Sequence, residues 1–229
     1  MDFQKFNRLS LDERCDILAE EEIPLDWFQK VWLRGNEDLI LAALDNPRFP
    51  LVLLREAMRD NSWMVVRAAV RHPNFPSDLF RTAMADSNHL VRYYTVGRDD
   101  FPLELLEAAL LDPNQTVRMA VARHAKSPRD LIETAWLDTD KYVRWAAIQH
   151  PIFPLTRLGE ALLDVELMIR RAAIERDDAP IDLIREAFRN SDADLRRYVV
   201  LLPNCPSDLI SEALLDRDSR VREAAVAKI

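Results

Sequence analysis

Proline recurs at one fixed interval along this chain: Pro24, Pro50, Pro76, Pro102, Pro128, Pro154, Pro180 and Pro206 stand 26 residues apart. A period of that length, held in phase to the C-terminus, means a stacked-repeat protein in which each unit covers the apolar face of its neighbour. Only three glycines occur in 229 residues, which argues against turn-rich β architecture and against phosphate-cradling loops. Hydrophobic residues make up 48% of the chain, too large a share for disorder.

Counting each unit from its proline as position 0, apolar residues recur at positions 3, 4, 7 and 8, as in Leu53, Leu54, Ala57 and Met58 or Leu131, Ile132, Ala135 and Trp136. That spacing is one stripe of a short helix, here called A. Proline suits its first turn, where a missing N–H costs nothing. Asp26, Asp78, Glu104, Asp130, Asp182 and Asp208 follow at position 2, where an acid complements the helix dipole. After a polar turn a second helix, B, of about eight residues is expected around position 15, which holds Val65, Val91, Val117, Val143, Ile169, Leu195 and Val221. Positions 18 and 19 are mostly small, as in Ala146 and Ala147, so that backbones can approach closely. Helices this short are unstable alone, and stacking must hold them.

The first units are atypical, as solenoid ends should be. Residues 10–22 read as a capping helix, with Ser10 and Glu13 at capping-box spacing. Repeat 1 puts Trp27 and Trp32 in core columns, and the last repeat stops at Ile229 with no polar cap. The expected organisation is an N-terminal cap over residues 1–23 and a single solenoid of eight repeats over 24–229.

A net charge of −8 gives no globally basic footprint for nucleic acid. Two cysteines at opposite ends, Cys15 and Cys205, make neither a disulfide framework nor a cysteine-rich metal site, which fits a reducing cytoplasm. No signal core and no membrane-spanning run is visible.

Segments such as SPRDLIETAWLDTDKYVRWAAIQHP and FPLELLEAALLDPNQTVRMAVARHA resemble HEAT-like repeats, and more closely the leucine-rich repeat variant, over residues 24–229. The resemblance implies an all-α fold: a right-handed α-solenoid of about eight 26-residue two-helix repeats behind an N-terminal capping helix, curved, with the B helices on the concave side. It does not extend to the iron–sulfur cysteine cluster of the founding variant-repeat protein, because Cys15 is the sole N-terminal cysteine.

Two sets of polar columns are candidates for function. Asp86, Asp112, Asp138, Asp164, Asn190 and Asp216 stand at position 10, and Arg92, Arg118, Arg144, Arg170, Arg196 and Arg222 at position 16. Acid and arginine in repeat after repeat read as a structural ladder, each Asp accepting from turn amides and from the Arg of its own or the next unit. The ladder breaks in repeat 2, where Val66 replaces the arginine and Arg67 lies one place on, predicting a weaker junction. The second set is the B-helix face at positions 14, 17 and 21, which share one side of the helix. Arg67, Leu90, Tyr93, Met119, Tyr142, Trp145, Met168, Arg171 and Arg197 vary there from repeat to repeat, so stacking does not dictate them. Aromatic, Met and Arg content is the composition enriched at protein interfaces.

His72, His124 and His150 share position 22 with Arg98, Arg176 and Lys228, a column read as helix C-terminal capping rather than metal binding. Glu56, Glu160, Glu186 and Glu212 suggest an acidic outer face on the A helices. No catalytic residue, cofactor or metal is expected. The function expected is a protein-binding scaffold, with a partner held on the B-helix face. The alternatives are nucleic-acid binding of the HEAT-like alkylpurine DNA glycosylase type and self-assembly, as a homo-oligomer, through the uncapped C-terminal repeat.

Overall fold

Each proline of the series opens a helix from just outside it. All eight are N-cap residues with φ between −58° and −70° and extended ψ. Their carbonyls take the first helical bonds, from Trp27 N–H at 2.9 Å and Leu183 N–H at 2.9 Å for example. This shifts the expected first-turn placement by one residue. The N–H that proline lacks is then the cap residue's own, and the helix has no use for it.

The computed structural model describes residues 2–20, 22–190 and 192–229. Among them every regular element is helical, with no strand. The chain forms two compact units, one ending at His124 and the other spanning Ala125–Ile229.

The first unit begins with helices Phe3–Phe6 and Leu11–Ala19. Of the cap expected over residues 10–22, Glu21 lies outside the described residues. The capping box is formed: Glu13 N–H donates to Ser10 Oγ at 3.3 Å and Ser10 N–H to Glu13 Oε2 at 2.9 Å. Repeats 1 to 4 follow. Their A helices are Leu25–Arg34, Leu51–Ala57, Phe80–Met84 and Leu106–Leu110, the last two entered through 3-10 turns Ser77–Leu79 and Leu103–Leu105. Their B helices, Glu37–Leu44, Trp63–Arg71, His89–Val96 and Gln115–Arg123, pack side by side, and Leu11–Ala19 covers the first of them.

The second unit holds repeats 5 to 8. Its A helices are Arg129–Trp136, Leu158–Ala161 (after a 3-10 turn Leu155–Arg157), Ile181–Phe188 and Ser207–Ala213. Its B helices, Lys141–Gln149, Leu167–Glu175, Ala193–Leu201 and Ser219–Val226, again pack each on the next.

The core follows the repeat columns. Leu54, Phe80, Leu106, Ile132, Leu158 and Ile184 at position 4, and the valine, isoleucine and leucine column at position 15, are sealed from solvent. Alanine at position 7 is buried in every repeat from Ala57 to Ala213 and gives the two helices room to touch. A second aromatic column sits just before the proline. Phe49 and Phe75 pack edge-on against Phe28 and Phe80 at 5.4 and 5.3 Å, and Phe153 against Trp136 at 5.6 Å.

Candidate functional site

Most polar columns are consumed by stacking. In the turn between helices, the side chain at position 10 accepts the N–H two residues on: Asp112 from Asn114 at 2.9 Å, Asp164 from Glu166 at 2.9 Å. The residue reached then caps helix B, as Asn88, Asn114, Asp140, Asp192 and Asp218 do. The ladder arginine donates Nη1 to carbonyls of its own turn, Arg92 to Asp86 O at 2.8 Å and Arg144 to Asp138 O at 2.9 Å.

Its remaining donors reach forward to the carboxylate of the following repeat. Arg92 Nε and Nη2 donate to Asp112 at 2.7 and 2.8 Å, Arg144 to Asp164 at 2.9 and 3.1 Å, and Arg196 to Asp216 at 2.8 Å through both nitrogens. So Asp112, Asp164 and Asp216 are held by the arginine of the preceding repeat, not by that of their own or the next. An arginine whose Nη1 is spent on its own turn has only its forward edge left. These forks are nearly buried, and the bidentate geometry makes them strong. The Asp112 carboxyl is pushed up by burial, but Arg92, the Asn114 N–H and Arg118 outweigh this and hold it below the usual range. Asp216 is lowered chiefly by Arg196.

Arg118 and Arg222 make the same own-turn bonds, to Asp112 O at 2.9 Å and Asp216 O at 2.7 Å, and Asp138 accepts the Asp140 N–H at 2.8 Å. Two rungs are irregular. Asp86 faces the Val66 position, and its carboxylate accepts the Asn88 N–H at 2.7 Å. Asn190 cannot neutralise Arg170, which turns instead to Asp192.

The position 22 column forms a second ladder. Asn46, His72, Arg98 and His124 each reach back to the carbonyl end of the preceding helix: His72 Nε2 lies 3.0 Å from Asn46 O, Arg98 Nη1 2.9 Å from His72 O, and His124 Nε2 3.1 Å from Arg98 O. Arg176 donates to His150 O at 3.0 Å and Lys228 to Leu202 O at 2.7 Å in the same way. These residues therefore cap the neighbour's helix rather than their own. Burial, followed by the Arg98 charge, pushes the His72 imidazole down against the Asn46 hydrogen bond.

The B-helix face is different. In the first unit Leu90, Tyr93 and Met119 are half-buried; in the second Tyr142 is 50% exposed, Trp145 and Met168 are half-buried and Arg197 is exposed. Arginine–aromatic stacks stand on it, two of which join position 17 of one repeat to a tyrosine at position 18 of the next. Arg67 lies over Trp63 and Tyr94 at 5.3 and 5.6 Å, and Tyr93 meets Tyr94 edge-on at 5.1 Å. Arg171 lies 3.6 Å from the centre of the Tyr198 ring. The sequence reading missed Tyr94 and Tyr198. Their signal was available: two tyrosines in a column otherwise small, each one repeat and one residue beyond an arginine.

The A-helix side is not simply acidic. Glu56, Glu160, Glu186 and Glu212 are exposed, but so are Leu33, Leu111, Leu137, Leu163 and Leu215 at position 9. Among the described residues no helix is long and apolar enough to cross a membrane.

These features define a HEAT-like helical repeat protein. A solved structure described as a leucine-rich repeat variant with a novel repetitive protein structural motif is similar to it, with a TM-score of 0.68 and 26% identity, covering 84% of this chain and 76% of that one. No protein-family profile and no curated protein matches the chain.

Proposed function

We propose that this protein is a non-catalytic scaffold that holds a protein partner on the B-helix faces of its repeats. The observation that carries this reading is the contrast between columns. The ladders and the core repeat from unit to unit and are spent on stacking, whereas the aromatic, Met and Arg residues vary and keep solvent-facing surface. In the first unit the contact residues are Arg67, Leu90, Tyr93 and Met119; in the second they are Tyr142, Trp145, Met168, Arg171 and Arg197. Rigid aromatics and arginine supply contact area at low entropic cost, which is why they dominate binding energy at interfaces.

The test is affinity capture from native lysate with wild type, Tyr142→Ala and a Trp145→Ala, Arg171→Ala double variant. Weakened capture of a specific protein with a melting temperature within a few degrees of wild type supports the scaffold reading. A large loss of stability would make these residues core and sink it.

A further inference from the structure

Among the described residues the stack of a position 17 arginine on a position 18 tyrosine occurs twice, and one of the two copies carries its own acid. In the second unit Glu175 stands 3.8 Å from Arg171, and the Tyr198 hydroxyl donates to the same carboxylate. In the first unit the Glu175 position, one helical turn beyond the stacked arginine, holds Arg71. Its guanidinium lies 5.6 Å from the Tyr94 ring, the same distance as that of Arg67. Neither Arg67 nor Arg71 has an ion-pair partner among the described residues, and the Tyr94 hydroxyl has no hydrogen bond. The Nε of Arg67 is buried without an acceptor, as is that of Arg171, so the difference between the two copies lies in the outer nitrogens and the neighbouring side chain. A cavity of about 320 Å³ opens beside the two arginines, with Leu41, Leu44 and Ala68 forming its apolar wall. Asp45 on its rim pairs with neither arginine.

We propose that this cluster docks an acidic peptide segment of the partner, with a glutamate or aspartate side chain taking in the first unit the place that Glu175 takes in the second. Two guanidinium groups one turn apart match a carboxylate geometrically, and stacking on aromatic faces holds them in place before the ligand arrives. The cavity wall accommodates an apolar neighbour of that acid. A local cationic site is what lets a chain of net charge −8 attract an acidic ligand at all. The inference rests on the scaffold reading and narrows it to a partner chemistry.

The experiment is fluorescence anisotropy with a short labelled peptide alternating glutamate and leucine, against a control with glutamine for glutamate. Wild type should bind the acidic peptide and not the control. Arg71→Glu rebuilds the second unit's self-neutralised arrangement and should weaken binding at least about tenfold, the scale for losing a close charge pair. Glu175→Arg opens the second copy and should raise the stoichiometry from one peptide to two, so the test survives if Arg71→Glu fails to fold. No binding to wild type, equal binding of the control, or unchanged affinity in a folded Arg71→Glu variant would overturn the proposal. Partner capture that still depends on Tyr142 while no acidic peptide binds would leave the scaffold reading standing and this inference refuted. Peptide binding that Arg71→Glu removes, with capture indifferent to Tyr142 and Trp145, would do the reverse.

Discussion

Between repeats 2 and 3 the ladder position holds Val66, and the arginine one place on, Arg67, stacks on Trp63 and Tyr94 with a second arginine beside it. Between repeats 6 and 7 the ladder arginine is present but meets Asn190, so Arg170 turns to Asp192 while its neighbour Arg171 stacks on Tyr198 beside Glu175. Both junctions depart from the regular rung, and both carry the extra aromatic stack. What separates the charge of the two stacks is the side chain at position 21. Glutamate there closes the charge within the protein; arginine leaves it facing outward. The same helix geometry therefore serves either as internal mortar or as an open contact.

The comparison predicts unequal costs for substitutions that look alike. Asp112→Ala strands the nearly buried Arg92 guanidinium and should cost about 3–5 kcal/mol in chemical denaturation. Asp86→Ala, at the junction without a ladder arginine, loses only a turn hydrogen bond and should cost about 1 kcal/mol. Equal losses would mean that the forked pairs do not hold the repeats together.

Acid should expose the same asymmetry more gently. The folded-state carboxyls of Asp112 and Asp216 titrate below their unfolded value. Their contribution is therefore complete above the unfolded carboxylate pKa, about 4, and drains as pH falls through the lower folded value. His72, lowered by burial, adds a term of the same sign that is complete above about 6.5 and is lost as pH falls through its depressed value. Melting temperatures measured from neutral pH to strong acid should fall for wild type, with a shallower acid limb for Asp112→Asn.

The smallest effects lie in the stacks. Tyr198→Phe removes a hydroxyl that donates to Glu175 and should cost about 0.5–1.5 kcal/mol. Tyr94→Phe removes a hydroxyl with no partner and should leave stability within about 0.5 kcal/mol of wild type. A reversed order would mean that the first unit's cluster is already satisfied internally.

The repeat architecture was legible because its signals are periodic: the proline register, the position 15 column and the paired polar columns all carry one spacing. Direction was not legible. Spacing alone does not say whether Arg92 pairs with Asp60, Asp86 or Asp112, since that depends on which edge of the guanidinium the local turn has already used. The same holds for His72 and Arg98, whose side chains reach back to the helix before them. The phenylalanines before four of the eight prolines, Phe49, Phe75, Phe101 and Phe153, share the spacing but fell in the connecting segment, outside either amphipathic stripe. Tyr94 and Tyr198 were hidden by averaging, because a column read as small suppresses the two members that are not.

The backward-reaching residues at position 22 bear on how such a chain can grow. A repeat with a polar residue at position 22 brings the donor that finishes its predecessor's last helix and leaves its own carbonyls for its successor, as Arg98 does between His72 and His124; Leu202 in repeat 7 brings none. Gain or loss of one whole 26-residue unit hands that obligation on intact, whereas a slip of any other length strands it on both sides of the scar. Natural length variation in chains of this design should therefore come in complete copies.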